Sequence, residues 1–147
     1  MNKLTVLLFP AVFLALISTA SAADVLGEFP LKHALESEKV KEAIDGNIPL
    51  YWGDQRHPAV EKELGKFTTS KRTNAVGKSD QEACEWALAS AIIELQNRVF
   101  QEGGNAIINI RSNINNQPRS STTDFDCLQG SIMVNVALKG TVVTLEK

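Results

Sequence analysis

The sequence predicts an α+β domain: a mostly antiparallel sheet with one long helix packed on one face, plus a short N-terminal helix. Three observations carry this expectation. Residues from about 79 to 102 hold a capped, amphipathic helical pattern. Residues from about 105 to 111 alternate as a strand directly after a glycine pair, and residues from about 131 to 145 alternate again.

The long helix has signals at both ends. Ser79 is an N-cap residue with Glu82 three positions on, the spacing of a capping box. Asp80 and Glu82 place negative charge at the positive end of the helix dipole. Gly103-Gly104 supplies the left-handed stop. Such a helix is about 36 Å long. Cys84, Leu88, Ala91, Ile92, Leu95 and Val99 form one apolar stripe at core spacing. Trp86, Ile93 and Phe100 form a second on roughly the opposite side. The first stripe is expected to pack on a sheet. The second meets either the N-terminal part of the chain or another subunit, a candidate homo-oligomer interface.

After the glycines, Ala106, Ile108 and Ile110 are expected on one face of a strand, with Ile107, Asn109 and Arg111 on the other. Towards the N-terminus, residues 31–45 read as one short amphipathic helix. A turn at Asp45-Gly46-Asn47 leads to a strand over 48–52, which Pro49 confines to an edge or a strand start. Residues 53–78 read as mostly irregular, with one or two helical turns at 60–64 and a short strand at 67–70. Residues 112–126, rich in Asn, Ser and Thr, read as a mobile hairpin connection. In the last stretch Ile132, Val134, Val136 and Leu138 share a face. The phase then shifts to Val143 and Leu145, which predicts a turn or bulge at Gly140.

The N-terminus adds a compartment. Lys3 precedes an apolar run, and Ala20-Ser21-Ala22 has the small-residue pattern of a cleavage site. Residues 1–22 are therefore read as a secretory signal peptide, with no lipid anchor, and residues 23–147 as a single periplasmic domain. Lys3 is the only charged residue lost, so the net charge moves from −2 to −3. That balance argues against a general nucleic-acid binder. In an oxidising compartment the default for Cys84 and Cys127 is a disulfide. The rival reading, two thiols for redox or metal chemistry, lacks a C-x-x-C and a neighbouring histidine.

Candidate chemistry is sparse. Gly77-Lys78-Ser79 resembles the end of a phosphate-binding loop, but Arg72 stands where such a loop needs its first glycine. His57 lies between Asp54 and Glu61, a weak candidate metal set, and His33 reads as a helix-surface residue. No serine or cysteine nucleophile has a matching base, and Asp124 and Asp126 sit on a loop unsuited to tuning their acidity. No catalytic set is predicted and no cofactor is implied. Tyr51 and Trp52, with Arg56, Lys66, Lys71 and Arg72 downstream, form a candidate binding surface for an anion, a glycan or a protein partner.

The pattern of long helix, G-G-N-A-I-I-N-I strand, loop and G-S-I-M-V-N-V-A-L-K-G-T-V-V resembles a group of small proteobacterial periplasmic proteins. Many of these carry the inherited label "excinuclease ATPase subunit". The nucleotide motifs and zinc-binding cysteines that such an activity needs are absent from this sequence. More distantly, the helix, the Gly-Asn-Ala strand and the final strands are similar to the YbjQ-like domain and to the outer-membrane stress sensor RcsF. The sensor resemblance implies a disulfide from the helix to a point before the last strand, which Cys84 and Cys127 match. It does not imply the sensor role, since the lipidated cysteine and the second disulfide are missing. The YbjQ-like resemblance implies symmetric assembly, for which the Trp86, Ile93, Phe100 stripe is available. The reading is a disulfide-stabilised envelope binding module for a protein or small-molecule partner, with a metal-binding or metal-stress protein as the alternative.

Overall fold

The computed structural model describes residues 22–147. The leader expected over residues 1–22 lies outside that range except for Ala22. The elements run in order β1 (Val25–Pro30), α1 (Leu31–Glu36), α2 (Glu38–Ala43), β2 (Leu50–Trp52), β3 (Val60–Asn74), α3 (Asp80–Glu102), β4 (Ala106–Ser112), a 3-10 turn (Ile114–Asn116), β5 (Asp124–Gln129) and β6 (Met133–Leu145). This is the expected α+β fold. No helix among the described residues is long and apolar enough to cross a membrane.

The helix α3 forms where its caps place it. Ser79 Oγ accepts a hydrogen bond from the Glu82 amide at 3.1 Å. The Glu82 carboxylate pairs with Lys39 instead of turning back to the cap, so half of the capping box forms. Gly103 takes the left-handed conformation at φ 72°, and its amide and that of Gly104 close onto Phe100 and Val99. All six residues of the first stripe are buried.

The sheet is built around β6. It pairs with β3 along one edge, and with β5 and then β4 along the other. β1 extends the sheet beyond β5, and β2 runs parallel to β4 at the far edge. The helix α3 lies across β6 and β3. Beneath it, Val134, Val136, Leu138 and Val142 join Ile92, Leu95 and Val99 in one core.

The fold departs from the sequence reading at five points. First, residues 31–45 are two helices, not one. Ser37 is extended (φ −62°, ψ 138°), ends α1 and starts α2. Second, residues 60–74 are a single 15-residue strand. Its alternation is masked because it is an edge strand rich in Lys, Glu and Thr, and β6 defines it by pairing. Third, Val25–Pro30 is a strand against β5, which local sequence did not signal.

Fourth, β4 does not keep one alternation. Asn109 sits at φ 52° and the register against β6 shifts between Ile108 and Arg111. Ile107 and Ile110 therefore both face the main core. Ala106 and Ile108 join Val143 and Leu145 in a small second core on the other face. Fifth, β6 neither turns nor changes phase at Gly140. Val142 continues the inner face, and Val143 and Leu145 belong to the outer one. Gly140 is there for close approach: a Cβ would lie 2.8 Å from Ile107 Cγ2 and 3.6 Å from Leu95 Cδ1.

Cys84 and Cys127 are bonded, with S–S 2.04 Å and Cα–Cα 5.9 Å, and both are fully buried. Cys127 precedes the last strand, as expected, and lies within a strand of its own, β5, so the bond fastens α3 directly to the sheet.

Candidate functional site

The site begins with a short turn. After β2, Gln55 folds back on Trp52: its amide bonds to the Trp52 carbonyl at 3.0 Å, and its Oε1 accepts from the Trp52 amide at 2.8 Å. The Gly53 amide bonds to Ile110 O at 2.8 Å, which pins this turn to β4. Trp52 is thereby buried, at 2% exposure. On the other side, the Leu31 amide bonds to Thr123 O at 2.8 Å, holding the start of α1 against residues 122–123.

Between these elements lies a cleft of about 490 Å³, lined by Leu31, Leu35, Leu50, Trp52, Gln55 and Thr123 among others. Its wall is mostly apolar, and its size falls in the range of small-molecule sites. The indole Nε1 of Trp52 is buried and has no hydrogen-bond acceptor among the described residues. A buried donor without an acceptor is costly and uncommon. At the rim, Lys32 and Glu36 form an exposed pair at 3.9 Å. The arrangement offers a mostly apolar cleft, with a desolvated donor on one of its lining residues. It offers no nucleophile.

The residues singled out from sequence do not converge. Trp52 lines the cleft but is not part of an exposed surface. Tyr51, the neighbouring residue, packs on the opposite side of β2 with Ile108, its ring 5.5 Å from that of His57. Arg56 is exposed in the loop after β2, and Lys66 is exposed on β3. Lys71 faces α3 and pairs with Glu94, whose carboxyl it holds below the ordinary 4.5 by hydrogen bonding. Arg72 points to the other face, opposite Asn135 in the register. Asp54, His57 and Glu61 are exposed, and no three His, Cys, Asp or Glu side chains converge on a metal site among the described residues. The Nδ1 of His57 contacts the Pro58 carbonyl at 2.8 Å. His33 is at the helix surface, 2.8 Å from Glu85.

The second helix stripe also divides. Trp86 is half-buried, with Lys39 of α2 5.5 Å above its ring. Ile93 is half-buried beside Lys71, and Phe100 is 65% exposed. The N-terminal part of the chain thus covers one end of the stripe and leaves the other open.

Residues 112–126 are tied down rather than loose. Ser112 and Arg119 exchange backbone hydrogen bonds at 2.8 and 3.1 Å. Arg119 Nε donates to both Asp126 oxygens at 2.8 and 3.0 Å, and its Nη2 also reaches Asp126. The Asp126 carboxylate raises the Arg119 pKa further above its ordinary range. The Asp126 amide donates to Ser112 Oγ at 2.8 Å. Gln55, Leu35 and Thr123 were not foreseen as site residues. Nothing local in sequence connects them, because three separate segments meet only in the fold.

Comparison with known proteins gives no match to this chain among family models, curated proteins or solved structures.

Proposed function

We propose that this chain is a disulfide-stabilised binding module of an oxidising compartment, whose cleft at Trp52 takes a small apolar ligand bearing one hydrogen-bond acceptor. The observation that carries this reading is the buried, unpartnered Nε1 of Trp52, a residue that lines a mostly apolar cleft with Leu31, Leu35 and Leu50. An apolar body displaces water from Leu31, Leu35 and Leu50, and a carbonyl oxygen satisfies the indole. Burial of both cysteines in one bond supports an exported, periplasmic protein, as do the small residues before Ala23. The work of the module is binding and not catalysis.

Calorimetric titration of the full chain with 2-octanone, and with n-octane as an acceptor-free control, tests this. Both are expected to bind, the ketone more tightly. Trp52→Phe keeps an aromatic ring at the cleft and removes the donor. It is expected to weaken the ketone about tenfold, the value of one hydrogen bond of about 1.4 kcal/mol, and to leave the alkane unchanged. Equal ketone affinity for both proteins, or no binding tighter than millimolar, overturns the reading.

A further inference from the structure

On the face of the sheet turned away from α3, the geometry points to a second site, one for a phosphate-type oxyanion centred on Arg111 and Lys139. The face is set by alternation. On β3, Lys71 reaches Glu94 of α3 and Arg98 of α3 lies 5.1 Å from the Phe67 ring, so Lys66, Thr68, Ser70 and Arg72 face the other way. On β6, Leu138 is buried beneath α3, so Lys139 and Thr141 face away as well.

The register brings these groups into rows. Thr68, Lys139 and Arg111 are directly opposite one another on β3, β6 and β4, and Lys66 stands opposite Thr141 in the next row. Directly opposed residues of antiparallel strands have Cβ atoms about 5 Å apart, and like charges there repel. Arg111 and Lys139 are such a pair. No carboxylate of the described residues lies within ion-pairing distance of Lys66, Arg72, Arg111 or Lys139, in contrast to Lys71 and Arg119. Of the two acids that share this face on β5, Asp126 is engaged by Arg119 and Asp124 accepts from the Thr123 hydroxyl. Glu63 is opposite Val143, four residues along β6 and about 13 Å away at strand rise.

Arg111 carries a further mark. Its Nε is buried and meets no acceptor. A guanidinium with a desolvated N–H, facing an unpaired ammonium across one strand spacing, lacks an anion. A phosphate group supplies both needs. Its oxygens accept from the planar guanidinium fork and from the ammonium, and its negative charge offsets the repulsion. The hydroxyls of Thr68 and Thr141 stand beside them as further donors. The site is independent of the Trp52 cleft and shares no residue with it.

The experiment is thermal unfolding of the full chain with inorganic phosphate, against chloride at matched ionic strength. Wild type is expected to gain several degrees in phosphate over chloride. Arg111→Gln/Lys139→Gln is expected to lose that gain while unfolding no lower than wild type in chloride, because it removes a repulsive pair. Lys71→Gln, on the helix face, is expected to keep the gain. A companion arm with phosphatidylglycerol vesicles separates the two sources of the group. Vesicle binding that free phosphate displaces assigns a lipid headgroup, whereas a phosphate gain without vesicle binding assigns a soluble phosphate. Absence of any gain in wild type, or a gain retained by the double variant, overturns the proposal.

Discussion

Asp126 and Cys127 are neighbours on β5, and each fastens a different face of the same sheet. Cys127 turns inward, to Cys84 on α3, through a covalent bond. Asp126 turns outward, to Arg119, through an ion pair. Both are buried, yet their surroundings are opposite. The inner side is a dry packing of Leu, Ile and Val, where shape and loss of water supply the stability. The outer side is held by polar groups that need particular partners, as when the Asp126 amide bonds to Ser112. The inner face keeps its charges at the rim, as in Lys71 with Glu94, and the outer face is organised by charge, down to the opposed cations at Arg111 and Lys139. The contrast teaches where ligands belong. Unmet polar groups occur on the outer sheet face at Arg111, at the edge of the inner core at Trp52, and beneath α3 at Thr69.

The comparison is broken most severely at the disulfide. Its 43-residue separation gives a loss of about 4 kcal/mol on removal in the chain-entropy account. Cys84→Ala/Cys127→Ala, unfolded by urea, is expected to show that loss, and reduction of the wild type should reproduce it. The outer face breaks by a smaller step. Arg119→Met leaves the Asp126 carboxylate buried without its guanidinium and is expected to cost about 2–3 kcal/mol, below the range for a fully buried pair because Arg119 is partly solvated. Adding Asp126→Leu should restore much of it. If the double variant is as unstable as the single one, an unpaired charge is not the cause.

The smallest effect sharpens the contrast between buried and exposed pairs. Lys71 holds the Glu94 carboxyl below its ordinary 4.5 by hydrogen bonding. A depressed carboxyl stabilises the fold above the unfolded value, and that contribution is lost as pH falls through the folded one. Denaturation midpoints followed from about pH 5 to pH 3 should therefore fall less steeply in Lys71→Met than in wild type. The pair is well exposed, so the change is expected to be minor beside the other two.

What could be read from sequence follows the range of the forces involved. The ends of α3 were legible because capping acts within three or four residues, as from Ser79 to Glu82. The break at Ser37 was also present as a signal. The apolar positions run Leu31, Ala34, Leu35 and then Val40, a gap of five that no single helix face accommodates. The long strand β3 was not legible. Few of its residues are apolar, and its identity comes from β6, as in the pairing of Val60 with Leu145. The apparent phase change on β6 arose because Val142 and Val143 are apolar for different reasons, each serving its own core. For the site, Trp52 was found by residue type and misplaced by exposure. The tryptophan is enclosed by α1 and residues 122–123, both remote in sequence. Arg111 was read as one face of a strand, and only the bulge at Asn109 and the register with Lys139 give it its neighbours.

The position of β6 has a consequence for the order of assembly. Three strands that precede it in the chain, β3, β4 and β5, each take it as a partner. Without β6, β4 retains only the three-residue β2, β5 retains only β1, and the 15 residues of β3 have no strand beside them. Two-stranded pieces of that kind are marginal in water. The floor beneath α3 is likewise missing, since β6 supplies Val134, Val136, Leu138 and Val142 to it. Sheet closure, seating of the helix and approach of Cys84 to Cys127 are therefore one event rather than three. Its pairings span long stretches of chain, which places this domain among the slower folders of its size.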